Sequence, residues 1–185
     1  PDRDLRVGHF LADGVKGRAW QRFPSGIARG IRAHRHVDFV TDHHPVNIAL
    51  RATIRPLAGR WAGVALDVLY DHVLAREWAH WHDKDLHRFT ASTYHLLDTH
   101  RHHMPDRLGL YLDAMTRGDW LASYARPDHV VRALQGMARR LPAAEGLTRG
   151  AEILDQHGDA ITEGFEVFFP ELVEEHEVFL EGLDA

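Results

Sequence analysis

Apolar residues recur at intervals of three and four along most of the chain, and two-residue alternation is scarce, so the pattern predicts an all-α fold. A first helix is predicted over 5–16, stopped at Gly17, and the Phe23-Pro24-Ser25-Gly26 turn leads into a helix over 27–43 that ends before Pro45. A segment over 46–54 continues past Pro56 into a long helix over 62–81, and another over 86–102 ends before Pro105. Beyond it, helices are predicted over 107–114, 120–124, 128–139, 145–154 and 158–180. In these, Asp128 is read as the N-cap behind Pro127, and Pro170 as a bend or interruption. No internal repeat or linker breaks the pattern, and 185 residues suit one domain, 1–185, built as a single helical bundle.

Two of these helices carry ionisable rows. On the helix over 27–43, His34, Asp38 and Asp42 are spaced four apart, which at 3.6 residues per turn keeps them within an arc of about 80°. The apolar flanks Ile27, Ile31, Val37 and Val40 turn this row toward the interior or a cleft. On the helix over 62–81, Asp67 and Asp71 repeat the spacing, with His72 beside the second, among Val64, Leu66, Val68, Leu69, Val73 and Leu74. Apolar residues cover nearly its whole circumference, so it is expected to be central, and its carboxylates need a cation, either a metal ion or arginine. His34 and Asp42 are about 12 Å apart along a helix axis at 1.5 Å per residue, too far to ligate one ion. Either two metals are present or some of these residues orient the ligands. Asp13, with His9 one turn earlier and Gly14, Lys16 and Gly17 after it, is a third possible contributor.

Composition narrows the chemistry. With no cysteine, disulfides, thiolate ligands and thiol nucleophiles are excluded, and any metal is held by nitrogen and oxygen. Sixteen histidines raise the expectation of a metal site, with most of them surface residues. His95, His100, His102 and His103, near a helix end, read as a capping and surface cluster, and His176 has no partner at helical spacing. The aromatic residues, among them Tyr70, Tyr111 and Phe168, read as core. A net charge of -5 argues against nucleic acid, and no apolar run reaches the length of a membrane span, so the expected address is the cytoplasm. Against that acidic average, Lys16, Arg18, Arg29, Arg32 and Arg35 form a basic region suited to an acidic partner.

The segments VGHFLADGVKG, FPSGIARGIRAHRHVDFVTDHHP and AGVALDVLYDHVLAREW, with LPAAEGLTRGAEILDQHGDAITEGFEVFFPEL further on, resemble the acyl carrier protein (ACP) phosphodiesterase family. That family is similar to a rearranged HD-domain phosphohydrolase. The resemblance implies hydrolysis of the phosphodiester joining 4'-phosphopantetheine to a serine of ACP. It also implies a divalent metal, Mn²⁺ or Mg²⁺, as one or two ions. Asp13, His34, Asp38, Asp71 and His72 are the expected metal ligands, and Asp42, Asp67, Lys16 and Arg35 the expected catalytic groups. The family's opening segment, of Asn-Phe-Leu-Ala-His-Leu type, does not precede Pro1, so a native start with a further histidine is expected to lie outside this sequence. A nucleotide phosphohydrolase of HD type, and a non-catalytic helical module whose carboxylates pair with arginines, are the alternatives.

Overall fold

A computed structural model describes residues 2–184; Pro1 and Ala185 lie outside it, and with them the expectation about the chain's start. No strand occurs among the described residues. The helices are α1 (Arg3–Leu11), α2 (Ser25–His43), α3 (Pro45–Ala58), α4 (Ala62–Arg76), α5 (Trp78–Trp81), α6 (Leu86–Thr99), α7 (Asp106–Gly118), α8 (Trp120–Ser123), α9 (Pro127–Ala138) and α10 (Gly150–Asp184), joined by short 3₁₀ turns. The all-α class is the one the apolar spacing predicts. Among the described residues, no helix is long and apolar enough to cross a membrane.

Several boundaries differ from the sequence reading. Helix α1 stops at Leu11, and Asp13 sits in a 3₁₀ turn, Ala12–Gly14, instead of in the last helical turn. The helix predicted over 62–81 breaks at Glu77 into α4 and α5. Asp128 is not the N-cap of α9: Pro127 takes the first helical position and Arg126 the cap. Proline suits that position because its fixed φ is helical and its missing N–H would have had no partner there. The Asp128 carboxylate pairs with Arg126 and Arg132 instead. The predicted helices over 145–154 and 158–180 become a 3₁₀ turn, Glu145–Arg149, followed by one 35-residue helix with Pro170 inside it. Proline removes one backbone hydrogen bond. The buried face of Ile153, Ile161, Phe165 and Phe168 holds the helical register leading up to it.

The chain divides into two compact units, neither a continuous stretch. One comprises the residues up to Thr41, His87–Asp119 and those from Leu172 on; the other is Asp42–Leu86 and Trp120–Glu171.

In the first unit, α1 and α2 meet backbone to backbone. A Cβ built on Gly8 would lie 2.2 Å from the Ile27 carbonyl oxygen, and one on Gly30 2.2 Å from the Leu5 carbonyl oxygen. Only glycine permits that approach, which seals Val7, Leu11 and Ile31 completely. Asp2 caps α1 by accepting from the Asp4 amide at 3.0 Å. At the end of α6, His100 Nδ1 donates to the Leu96 carbonyl at 3.0 Å, the capping role its position suggested. Tyr111 departs from expectation, since its side chain faces solvent.

The second unit is organised around α4, whose Leu66, Leu69 and Val73 are almost wholly inaccessible. Tyr70 donates to Asn47 Oδ1 at 2.7 Å, so a buried hydroxyl and a buried amide satisfy each other. The Tyr70 ring stacks on Phe168 with centroids 5.5 Å apart. Gly164 leaves room for Leu50, whose Cδ1 would lie 2.5 Å from a Cβ at that position. Helix α4 is central to its unit, as its near-continuous apolar pattern predicts.

Candidate active site

In the first unit, the 3₁₀ turn after α1 and the middle of α2 bring Asp13, His34 and Asp38 together. His34 Nε2 lies 3.5 Å from Asp13 Oδ1 and 3.5 Å from Asp38 Oδ2. His34 is half-buried, whereas both carboxylates are exposed, so the row opens onto solvent and does not enter the core. Asp42, further along α2, is exposed too. The hydrogen bond that His34 donates to Asp13 raises the His34 pKa above its ordinary value, against the opposing effect of burial, and Asp38 adds to the rise. The same hydrogen bond lowers the Asp13 carboxyl. His9 and His176 extend the cluster: the His9 ring stands edge-on to His34 at 5.9 Å and to His176 at 5.2 Å. Burial, then the neighbouring His176 and His34, push His9 down to about 4, so it is neutral at pH 7. His176 lies far from His9 in sequence, and no spacing rule could have linked them.

In the second unit, apart from Arg76 at its C-terminal end, the exposed residues of α4 are Asp67 and Asp71. Solvent reaches Asp71, yet desolvation by the surrounding protein, followed by the charge of Asp67, raises its carboxyl to about 7. His72 points the other way and is buried, its Nδ1 donating to the Tyr124 carbonyl oxygen at 2.6 Å. A carbonyl can only accept, so that contact places the proton on Nδ1 and leaves Nε2 as a lone-pair nitrogen. Burial lowers the His72 pKa, which keeps the ring neutral.

The remaining expected groups have defined contacts. Asp42 is paired with Arg51 at 2.7 Å, and Arg51 also donates to the Asp42 carbonyl. Arg35 donates through its two terminal nitrogens to the Val15 and Gly17 carbonyls, both at 2.7 Å, so it fastens the loop that follows Asp13. Lys16 is exposed on that loop. Within the basic region, Arg29 donates to the Leu180 carbonyl and Arg32 lies over the Trp20 ring, while Arg18 is exposed.

Among the described residues, no three acidic or histidine side chains already surround a common point as a metal site. The donor set of Asp13, His34 and Asp38 nevertheless suits a hard or borderline divalent ion. Ligands about 2.1 Å from an ion stand about 3–3.5 Å from each other, close to the His34–carboxylate separations. Such an ion needs His34 neutral, so it would take the place of the proton that Asp13 now favours.

An all-α chain with carboxylate and imidazole groups on water-accessible helix faces has the makings of acid–base or cation-binding chemistry. Residues 1–172 match the family model described as acyl carrier protein phosphodiesterase, and the chain belongs to that family. It is similar to the acyl carrier protein phosphodiesterase of Enterobacter sp. (strain 638), 32% identical over 167 residues, covering 90% of this chain and 86% of the relative. The protein of that name from Escherichia coli O6:H1 is 32% identical over 169 residues, covering 91% and 88%, and the one from Salmonella dublin 33% over 167 residues, covering 90% and 86%. No solved structure matches the chain.

Proposed function

We propose that this chain hydrolyses the phosphodiester joining 4'-phosphopantetheine to a serine of holo-ACP, giving apo-ACP and free 4'-phosphopantetheine, with Mn²⁺ or Mg²⁺ as cofactor. The observation that carries this reading is the approach of two carboxylates to one imidazole nitrogen, Asp13 and Asp38 to His34, in a chain of the ACP phosphodiesterase family. Asp13, His34 and Asp38 are the residues that would hold the cation. When bound, it would acidify a water and offset phosphoryl charge.

The chain's own groups take the other roles. Lys16 is free to reach a non-bridging phosphoryl oxygen, and Arg35 keeps the Lys16 loop in place through Val15 and Gly17. Water attacks phosphorus and the serine oxygen departs, so that oxygen needs a proton. A histidine or aspartate that does not hold the cation would supply it. The exposed Lys16 and Arg18 suit an acidic carrier, and a cytoplasmic address goes with that substrate.

The test is incubation of holo-ACP with the protein and Mn²⁺, with and without EDTA, following the carrier's mass. Metal-dependent loss of the prosthetic group, abolished in Asp38→Ala, is the expected result. No loss from holo-ACP, with turnover of a small nucleotide instead, would transfer the site to a nucleotide phosphohydrolase. A protein that binds no divalent cation would end the metal-dependent reading.

A further inference from the structure

Beside the Asp13 turn, the first unit contains a groove of about 380 Å³. Lys16, Arg22, His102 and His103 line it together with Phe23 and Met104, and no carboxylate lines it among the described residues. One set of lining groups is cationic or hydrogen-bonding and the other apolar. The Phe23 and His103 rings meet edge to face with centroids 6.1 Å apart. Burial, then the adjoining His102 and His100, lower the His103 pKa, so its imidazole is neutral at pH 7 and can both donate and accept. Gly14 also lines the groove, which therefore begins one residue from Asp13. The loop that continues from Gly14 is the one Arg35 fastens.

This set of side chains matches one kind of ligand. An anion alone would have no use for Phe23 and Met104. An apolar chain alone would leave the Lys16 and Arg22 charges unanswered. A docked protein face needs about 800 Å² of surface per partner, whereas small-molecule sites are concavities of about 300–1,000 Å³. A phosphate followed by a methyl-branched, amide-containing chain answers every lining group: cations for the phosphate, neutral imidazole for the amides, Phe23 and Met104 for the methyl and methylene groups.

We infer that this groove seats the 4'-phosphopantetheine arm of the carrier, its phosphate toward Lys16 and Arg22 and its pantoate and methylene groups against Phe23 and Met104. The inference rests on the proposed hydrolysis and adds to it the part of the protein that recognises the prosthetic group. Phe23 and Met104 are specificity-determining residues in this account, apart from the groups that act on the phosphodiester.

The experiment is calorimetric titration of free 4'-phosphopantetheine, and separately of apo-ACP, into wild type, Phe23→Ala, Met104→Ala and Arg22→Gln, all in EDTA so that no turnover intervenes. Affinity for 4'-phosphopantetheine should fall on the order of tenfold or more in each variant, as expected when a shaped contact is lost. Affinity for apo-ACP, which has no arm, should not change. Arg22 is exposed, so its variant keeps the fold, and melting curves check the other two. Equal affinity of wild type and variants for 4'-phosphopantetheine would overturn the inference. So would a parallel loss of apo-ACP binding, which would make the groove a protein-docking surface. Release of the arm from holo-ACP by wild type is measured alongside. If wild type releases nothing, the proposed hydrolysis fails and the groove assignment with it; if it releases the arm and the variants bind normally, only the groove assignment fails.

Discussion

Asp67 and Asp71 stand one helical turn apart on an otherwise largely buried helix, and the charge of the first adds to the desolvation that lifts the carboxyl of the second from 3.8 to about 7. Between those two values the folded protein holds a proton on Asp71 that the unfolded chain releases. This contribution to stability is therefore complete below about pH 4 and lost as pH rises to about 7. Asp71→Asn cannot ionise and should not show that loss. Urea unfolding in EDTA at pH 5 and pH 8 is the measurement. The variant should have gained on wild type at pH 8 relative to pH 5, and parallel behaviour of the two proteins would show that Asp71 titrates normally.

In the proposed cation site, His34 would set the pH dependence of binding. Its pKa is raised by Asp13, and a cation needs the unprotonated ring, so Mn²⁺ affinity should fall as pH drops through that raised value. Mn²⁺ titrations followed by electron paramagnetic resonance at several pH values read this directly. Asp13→Asn weakens the hydrogen bond that favours the imidazolium, so the His34 ring signals in an NMR titration without metal should move to lower pH. An unmoved titration would mean that the Asp13–His34 contact does not form in solution.

The meeting of α1 and α2 at Gly8 and Gly30 has no slack. A methyl on Gly8 would fall 2.2 Å from a backbone oxygen, which no side-chain rotation relieves. Gly8→Ala should cost about 1–3 kcal/mol of stability, the usual range for overpacking or more. Because α1 leads to Asp13 and α2 carries His34, Mn²⁺ affinity should weaken along with it. Urea denaturation and metal titration of one preparation test both.

Gly158, within α10, has nothing within 4 Å of where a Cβ would stand. Gly158→Ala should stabilise the protein by about 0.5–1 kcal/mol, because alanine loses less backbone entropy in a helix. A higher urea midpoint at unchanged slope would bear this out, and a lower one would mean that the helix is not continuous there.

The all-α class and the centrality of α4 were legible in the sequence because a 3.6-residue apolar period is a local signal. Pro45 also marked the real end of a segment, α2 stopping at His43, whereas the first helix ends at Leu11, well short of Gly17. Pro170 does not interrupt the helix, because a proline's local cost is visible in sequence, whereas the burial of Phe165 and Phe168 that helps to offset it is tertiary. Asp128 misled because two good helix-starting residues stood side by side and only one could take the cap. In the candidate site, His34 and Asp38 were legible as a pair four residues apart, and Asp13 through its segment. The contacts of Arg35 with Val15 and Gly17 were not, since a guanidinium's partners depend on where another stretch of chain passes. The groove was equally hidden: His102 and His103 looked like the end of a helix, and nothing local connects them to Arg22 and Phe23.

Arg35 grips its loop through two backbone carbonyls, acceptors that neither gain nor lose a proton in any physiological range. The His34–Asp13 contact beside it is made of titrating groups. The mooring of the loop and the chemistry it positions thus respond to different variables: acid that protonates the cluster leaves the strap tied, so returning to neutral pH restores the site without the loop having to find its place again.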